Sequence, residues 1–252
     1  MDYHFVLQGI LDIAEEMLVS GAEVSRVETA IEKMCEGYGA TRINAFSITS
    51  NIQVTMEAPD GEIITQIRQV ERYDANFQKL DALNTLSREV AAHQPDAIEI
   101  QRLLNDLMNQ PDQHLFWQFL APIFVAGGFA IFFGGTYMDA ICSALMGIVI
   151  TIVRRLLKGF ENNQIVTHFI MSFVGGIVAI SLVAIKLGVH QGVIVVGGIM
   201  LLIPGVNMTN AIRDMLIGDI ASGMIRMVDA VLIAGAIACG FTAALFIGGL
   251  IL

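Results

Sequence analysis

The chain has 252 residues, of which 55% are hydrophobic and only 15% charged, and its mean hydropathy is +0.66. This composition excludes an ordinary soluble domain, in which charged residues are more abundant. Residues 1–113 hold eight Lys and Arg against nineteen Asp and Glu, whereas residues 114–252 hold six against five. The acidic first part argues against nucleic acid or an anionic membrane surface as its partner.

Several functional classes lack their sequence marks in this chain. Cys35, Cys142 and Cys239 lie far apart, which predicts reduced, space-filling residues and no metal site. The N-terminus has no basic region before its first apolar run, so it does not resemble a signal peptide, and we expect the first part to stay in the cytoplasm. No phosphate-binding loop, nucleotide fingerprint or nucleophile–base pair stands out. The sequence therefore predicts neither an enzyme nor an ATP-driven pump, and no cofactor.

The first 112 residues follow the pattern of a small α+β domain. Apolar residues from Leu7 to Leu18 recur at helical spacing, which predicts an amphipathic first helix. Ser20, with Glu23 three residues later, predicts the capping box of a second helix. The apolar period then changes to two, and later returns to the helical one. These patterns predict strands near 43–49, 52–57 and 63–70, and helices near 77–90 and 95–107. We expect residues 1–112 to form an acidic cytoplasmic domain.

Three charged residues of the second helix, Glu23, Arg26 and Glu28, allow two interpretations. In the first they form a helix cap and a surface ion pair, which contributes under about 1 kcal/mol to stability. In the second they contact the membrane part of the protein or a partner. The spacing alone leaves both open.

Residues 113–252 are predicted to form a membrane domain of five transmembrane helices, so the fold class is an α-helical polytopic membrane protein with a small cytoplasmic α+β domain in front. A helix needs ~20 apolar residues to cross about 30 Å of hydrocarbon. The fourth apolar run is the shortest and only just reaches across. Paired glycines in most of these runs predict close helix packing. The predicted spans are about 114–135, 136–154, 164–186, 187–203 and 220–251.

The distribution of basic residues predicts the orientation of these spans. Arg154, Arg155, Lys158 and Arg213 fall on the side of the first domain, and Lys186 falls on the other. An excess of Lys and Arg marks cytoplasmic loops. We therefore expect the N-terminus in the cytoplasm and the C-terminus outside.

A polar stretch begins where Pro204 and Gly205 end the fourth apolar run. Helical spacing puts Asn210 and Asp214 on one face. A broken helix beside polar groups is a recurrent way to build a transporter's binding site, because charged groups near hydrocarbon usually face the bundle interior. An ordinary cytoplasmic loop fits the same pattern. The candidate site residues are Pro204, Gly205, Asn207, Thr209, Asn210, Arg213, Asp214, Asp219, Ser222, Arg226 and Asp229.

The remaining polar residues of the apolar runs predict no site. His168 is interpreted as a satisfied interior histidine, with a proton relay as the alternative, and Asp139 as a residue at the outer interface. The other histidines have no carboxylate or cysteine at ligand spacing, so no metal site is predicted. These histidines are His4, His93, His114 and His190.

Two segments carry a resemblance to a known family. The stretch PGVNMTNAIRDMLIGDIASGMIRMVDA at 204–230 and the stretch SGAEVSRVE at 20–28 resemble the two recurrent motifs of the threonine/serine exporter family. With the order of segments, the resemblance covers nearly the whole chain. It implies a secondary transporter that moves small amino acids out of the cell.

The resemblance also implies a partner and a substrate range. Longer members carry a second set of spans in the same chain, and this sequence resembles the larger subunit of the split form, in which a second, smaller membrane subunit supplies that set. The split form is implicated in succinate export, so small carboxylates join threonine and serine as expected solutes. A homo-oligomer that transports without the second subunit is another possibility, and a non-transporting membrane scaffold or sensor is the alternative from a different class.

The resemblance further implies roles for the polar residues. Arg213 or Arg226 would hold a substrate carboxylate, by two parallel hydrogen bonds at best. The amides of Asn207 and Asn210 would hydrogen-bond the other polar groups of the substrate. A coupling proton or the amine of an amino acid would bind to one of the aspartates, which are Asp214, Asp219 and Asp229.

Overall fold

The computed structural model describes residues 2–71, 75–111, 114–157 and 163–251. Helices account for most of them, and the three strands form one small sheet. The elements in chain order are α1 (Tyr3–Val19), α2 (Val24–Gly37), β1 (Thr41–Ile48), β2 (Asn51–Glu57), β3 (Ile63–Gln69), α3 (Phe77–His93), α4 (Ala97–Met108), α5 (Leu115–Phe132), α6 (Tyr137–Leu157), α7 (Gln164–Ala184), α8 (Gln191–Ile199), α9 (Gly205–Leu216) and α10 (Ile220–Ile251).

The chain divides into two compact units. The first consists of residues 1–111 and 209–226, and the second of residues 112–208 and 227–252. Most of α9 and the first two turns of α10 thus belong to the unit that contains α1–α4 and the sheet. The sequence pattern had assigned this polar segment to the membrane domain.

The first unit is built around α1, which is buried along most of its length and packs on α2, α3, α4 and β3. The antiparallel sheet has the order β1-β2-β3. In β2 the side chains of Ile52, Val54 and Met56 are at most 1% exposed, so the alternating pattern that predicted a half-buried strand is confirmed. Gly61 has a φ of +86° in the turn before β3, a conformation that glycine adopts without strain.

The predicted start of the second helix is wrong. The backbone N–H of Ser20 bonds to the carbonyl of Glu16 as the cap at the end of α1, and Gly21 then turns the chain at a φ of +98°. The next helix begins at Val24, four residues later than predicted. Glu23 precedes it but makes no side-chain capping bond, which leaves its carboxylate available for another contact.

Four helices in the described residues are long and apolar enough to cross a membrane: α5, α6, α7 and the stretch Ile220–Gly249 of α10. The predicted fourth span, 187–203, contains the nine-residue helix α8. Nine residues make about 13.5 Å of helix, less than half of the ~30 Å hydrocarbon core. The structure therefore supports a polytopic membrane protein, and the count of five spans stays a prediction.

Helix packing in the second unit centres on α6, which contacts α5, α7 and α8. Small residues let these helices approach closely. A Cβ atom added to Gly176 of α7 would lie 2.5 Å from the Cβ of Ala244 in α10. One added to Gly197 of α8 would lie 2.2 Å from Oγ of Ser143 in α6. These two glycines serve close packing, which is the use that the glycine pairs predicted.

Candidate functional site

The two motif segments meet within the first unit. Glu23, just before α2, accepts a hydrogen bond from Nη1 of Arg213 in α9 at 2.6 Å. Nη2 of Arg226 in α10 donates to the backbone carbonyl of Ala22 at 2.9 Å. Both arginines therefore bind the short connection between α1 and α2, about 190 and 204 residues away in the chain. We call this group of charged residues the motif junction.

The deepest part of the motif junction is a buried ion pair. Nε of Arg226 lies 3.2 Å from Oδ2 of Asp214, and the side chains of the two residues are 6% and 0% exposed. Within the part of the chain that the structure describes, neither carboxylate oxygen of Asp214, nor Nε of Arg226, nor Oγ of the buried Ser222 has a hydrogen-bond partner. The contact thus has the distance of an ion pair but not the geometry of a hydrogen bond. Buried polar atoms are normally hydrogen-bonded, so this concentration of exceptions marks a candidate site.

Local backbone features bring Asp214 and Arg226 together. After α9 the chain turns at Gly218, whose φ is +102°, and the N–H of Asp219 bonds to the carbonyl of Asp214 at 2.9 Å. The carboxylate of Asp219 then accepts from the N–H of Ser222 at 3.2 Å, as a helix N-cap does. Gly223 allows the two helices to touch, since a Cβ atom there would lie 2.7 Å from the carbonyl oxygen of Ala211.

The motif junction carries more negative than positive charge. Burial raises the pKa of Asp214 above its ordinary value, and Arg226 offsets part of this effect. The carboxylates of Asp219 and Glu23 raise that pKa further, and Arg213 lowers it. The pKa of Glu28 is also raised, first by burial, although its carboxylate accepts a 2.7 Å hydrogen bond from the N–H of Ser47. Two guanidinium groups thus share this region with four carboxylates, which are those of Glu23, Glu28, Asp214 and Asp219.

Several other predicted site residues are not among the charged residues that define the motif junction. Arg26 is exposed and, among the described residues, pairs with neither Glu23 nor Glu28, so the predicted surface ion pair within α2 is wrong. Pro204 and Gly205 lie at the start of α9. Four more predicted site residues lie along α9 and α10. Asn207 and Asn210 are half-buried, and Thr209 and Asp229 are exposed.

The charged residues of α10 occupy its beginning. Residues 230–251 contain no charge and would make about 33 Å of helix, enough to cross the hydrocarbon without the preceding turns. Asp219, Arg226 and Asp229 all precede this uncharged stretch. The helix can therefore span a bilayer while these residues stay at or beyond the polar interface.

Asp139 is a second buried aspartate. The sequence predicts it at the outer interface of the membrane, and the structure shows that it accepts several hydrogen bonds. Asp139, at the start of α6, is 0% exposed. Its Oδ1 accepts from the N–H groups of Val189 and His190 at 2.7 and 2.9 Å, and its Oδ2 accepts from the N–H and hydroxyl of Thr136. Oδ2 also lies 2.9 Å from Nδ1 of His190. Fifty and 51 residues separate Asp139 from Val189 and His190, so no local spacing could have indicated this part of the network.

The described residues contain no group of three His, Cys, Asp or Glu side chains placed to hold a metal ion. The side chains of the motif junction supply guanidinium, carboxylate and hydroxyl groups. Such groups can bind carboxylates, ammonium groups and protons.

Comparison with known proteins places the chain in a family. A family model described as "Putative threonine/serine exporter" matches residues 8–248. The chain belongs to this family. It is 24% identical to a "Probable threonine/serine exporter" of Mycobacterium tuberculosis over 243 residues, which cover 93% of this chain and 45% of the relative. It is 22% identical to the "Threonine/serine exporter" of Corynebacterium glutamicum over 256 residues, which cover 94% of this chain and 51% of the relative.

The chain thus spans about half the length of the curated relatives it matches. No solved structure matches it. Both relatives are named as exporters, which are transporters and not enzymes. Membership of this family agrees with the four candidate membrane spans.

Proposed function

We propose that the chain is the membrane subunit of a secondary exporter of small amino acids, threonine and serine first, or of small carboxylates such as succinate. One observation carries this proposal: the two motifs typical of the family, far apart in sequence, join in a single charged cluster. A cluster of this kind next to the start of an uncharged, membrane-length helix suits the handling of a small charged solute at the mouth of a transport path.

The chemistry of the motif junction suits an amino acid. Arg213 is 60% exposed and, in the part of the chain that the structure describes, it bonds the less exposed Glu23, so a solute carboxylate can take the place of Glu23 on its guanidinium fork. The released carboxylate can then bind the solute's ammonium group. In this proposal the amide of Asn210, which lies in the same unit as the motif junction, hydrogen-bonds another polar group of the solute. A dicarboxylate such as succinate would meet stronger repulsion from the surrounding carboxylates.

We further propose that a second, smaller membrane subunit completes the transport path, with a second copy of this chain as the alternative. The relatives are about twice as long as the stretch that they share with this chain, which supports a path built from two halves. We place the protein in the bacterial inner membrane, with the N-terminus in the cytoplasm and the C-terminus outside. That orientation requires residues 187–203 to complete a fifth crossing, of which α8 supplies about half in helical form.

A scaffold or sensor function is less well supported. A scaffold has no need of polar groups that are buried and left without hydrogen-bond partners, because such groups cost stability. Asp214 and Ser222 hold atoms of this kind within the described residues. This observation favours a site that changes its contacts during a working cycle over a static docking surface.

Efflux from intact cells tests the proposal. Cells that express the chain together with its membrane partner are loaded with labelled threonine, serine or succinate, and loss of label is followed. We expect faster loss of at least one solute, and slower loss with Arg213→Lys, since lysine lacks the fork that binds a carboxylate. Arg42→Lys is the matched control, because Arg42 forms an exposed ion pair with Glu57 in the sheet. Unchanged efflux of all three solutes contradicts export, and normal efflux with Arg213→Lys contradicts the carboxylate contact.

A further inference from the structure

Among the residues that the structure describes, two fully buried aspartates are held in opposite ways. Asp139 accepts hydrogen bonds from three backbone N–H groups and two side chains. Asp214 is equally buried, yet neither of its oxygens has a hydrogen-bond donor among the described residues. Burial therefore does not distinguish Asp214 from Asp139. The difference is that Asp214 lacks hydrogen-bond donors among the described residues.

A buried carboxylate stays ionised when several donors surround it, because each hydrogen bond stabilises the charged form. Asp139 meets this condition and Asp214 does not. The charges facing Asp214 come from Arg226 in α10, from Arg213 in its own helix, from Asp219 in the turn, and from Glu23 before α2. The two arginines favour the ionised form and the two carboxylates oppose it. A proton on Asp214 removes the cost of burying its charge and turns one carboxylate oxygen into an O–H donor.

Arg226 connects this proton to the backbone of the motif junction. Its guanidinium holds the carbonyl of Ala22 with Nη2, while Nε faces Asp214 without a hydrogen bond. Protonation of Asp214 takes away the counter-charge of Arg226, which is itself 6% exposed. A buried cation without its partner is costly, so the guanidinium must move or find another anion.

We propose that Asp214 binds the coupling proton of the exporter, and that the Asp214–Arg226 pair is its two-state element. The pair holds α9 and α10 together while Asp214 is ionised, and it releases Arg226 when a proton moves from water to a carboxylate oxygen. This inference rests on the proposed function. The upward shift of the pKa of Asp214, caused mainly by burial, agrees with a group that takes up and releases protons during a cycle.

Two kinds of transport can be measured separately when the protein is reconstituted into vesicles together with its partner subunit. Net efflux driven by a pH gradient needs a proton to bind and leave, whereas exchange of labelled for unlabelled solute at equal pH does not. We expect Asp214→Asn, which mimics the protonated form, to lose gradient-driven efflux by about tenfold or more and to lose much less of its exchange at equal pH. Asp106→Asn, in an exposed position of α4, is the control and should keep both activities.

Two further measurements keep the proposal open to refutation if the Asn variant fails to fold. Asp214→Glu retains a carboxyl group in an altered position and should shift the pH dependence of gradient-driven efflux. In lightly buffered vesicles, wild-type protein should move protons together with solute. An unshifted pH profile, wild-type solute movement without protons, or full gradient-driven efflux by Asp214→Asn overturns the proton assignment and leaves export standing. Wild-type protein that moves no solute overturns the proposed function itself.

Discussion

The two arginines of the motif junction should differ widely in their effect on stability. Arg226→Gln leaves the fully buried Asp214 without its ion-pair partner and the carbonyl of Ala22 without its donor. Breaking a buried pair in this way typically costs about 3–5 kcal/mol. Arg213→Gln breaks a pair whose arginine is 60% exposed, which is worth under about 1 kcal/mol. In a chain of this size 1 kcal/mol lowers Tm by about 2–4 °C, so we expect a loss of roughly 6–20 °C for Arg226→Gln and at most about 4 °C for Arg213→Gln.

Thermal unfolding of the purified protein in detergent measures both variants. The loss for Arg226→Gln should grow with pH, because without the arginine the folded state binds a proton at Asp214 more tightly than the unfolded state does. Stability then falls as pH rises from the ordinary aspartate pKa through the raised one. The double variant Arg226→Gln with Asp214→Asn should regain part of the lost stability. Equal Tm losses for the two arginines would refute the assignment of Asp214 and Arg226 as a buried, mutually dependent pair.

Three other predictions follow from the same contacts. Asp139→Ala removes the acceptor of three backbone N–H groups and should lower the free energy of unfolding by on the order of 3 kcal/mol. We expect faster amide hydrogen exchange at residues 186–192. Unchanged exchange there would argue against the network. Gly223→Ala should lower Tm, because the added Cβ atom would lie 2.7 Å from a backbone oxygen. Gly235→Ala is the control and should leave Tm unchanged, since no described atom lies within 4 Å of its added Cβ atom. Equal effects on Tm would contradict the close approach of α9 and α10. Glu28→Gln should make Tm less dependent on pH above 4.5. The reason is that the pKa of Glu28 is raised in the folded state, so the stability of the wild-type protein falls as pH rises through that pKa. Tm values of wild type and variant that change with pH in parallel would contradict this.

The sequence predicted the first unit well because its elements have strong local signals. The alternation of Ile52, Val54 and Met56 and the helical repeat from Leu7 to Leu18 both specify a buried face. The start of α2 was misplaced because Ser20 and Glu23 fit a capping box equally well as a local pattern. The competing cap at the end of α1 and the turn at Gly21 could not be seen at that level.

The candidate site was only half predictable. Motif resemblance selected Glu23, Arg213, Asp214 and Arg226, but nothing in their spacing paired Glu23 with Arg213 across 190 residues. The role of the Ala22 carbonyl was also invisible, because a backbone oxygen carries no sequence signal. For α8 the sequence predicted too long a helix. Apolar composition from 187 to 203 predicted a full membrane span, because composition does not reveal where a helix ends.

The central claim is that this chain forms part of a solute exporter, and transport by purified protein tests it most directly. Vesicles that contain the chain alone, or the chain with its small membrane partner, are loaded with labelled threonine, serine and succinate. The account predicts efflux of threonine or serine when both proteins are present, and a strong loss of that efflux with Arg213→Lys. Efflux from the chain alone would replace the partner subunit with a homo-oligomer. No efflux of any of the three solutes in either preparation would contradict the account.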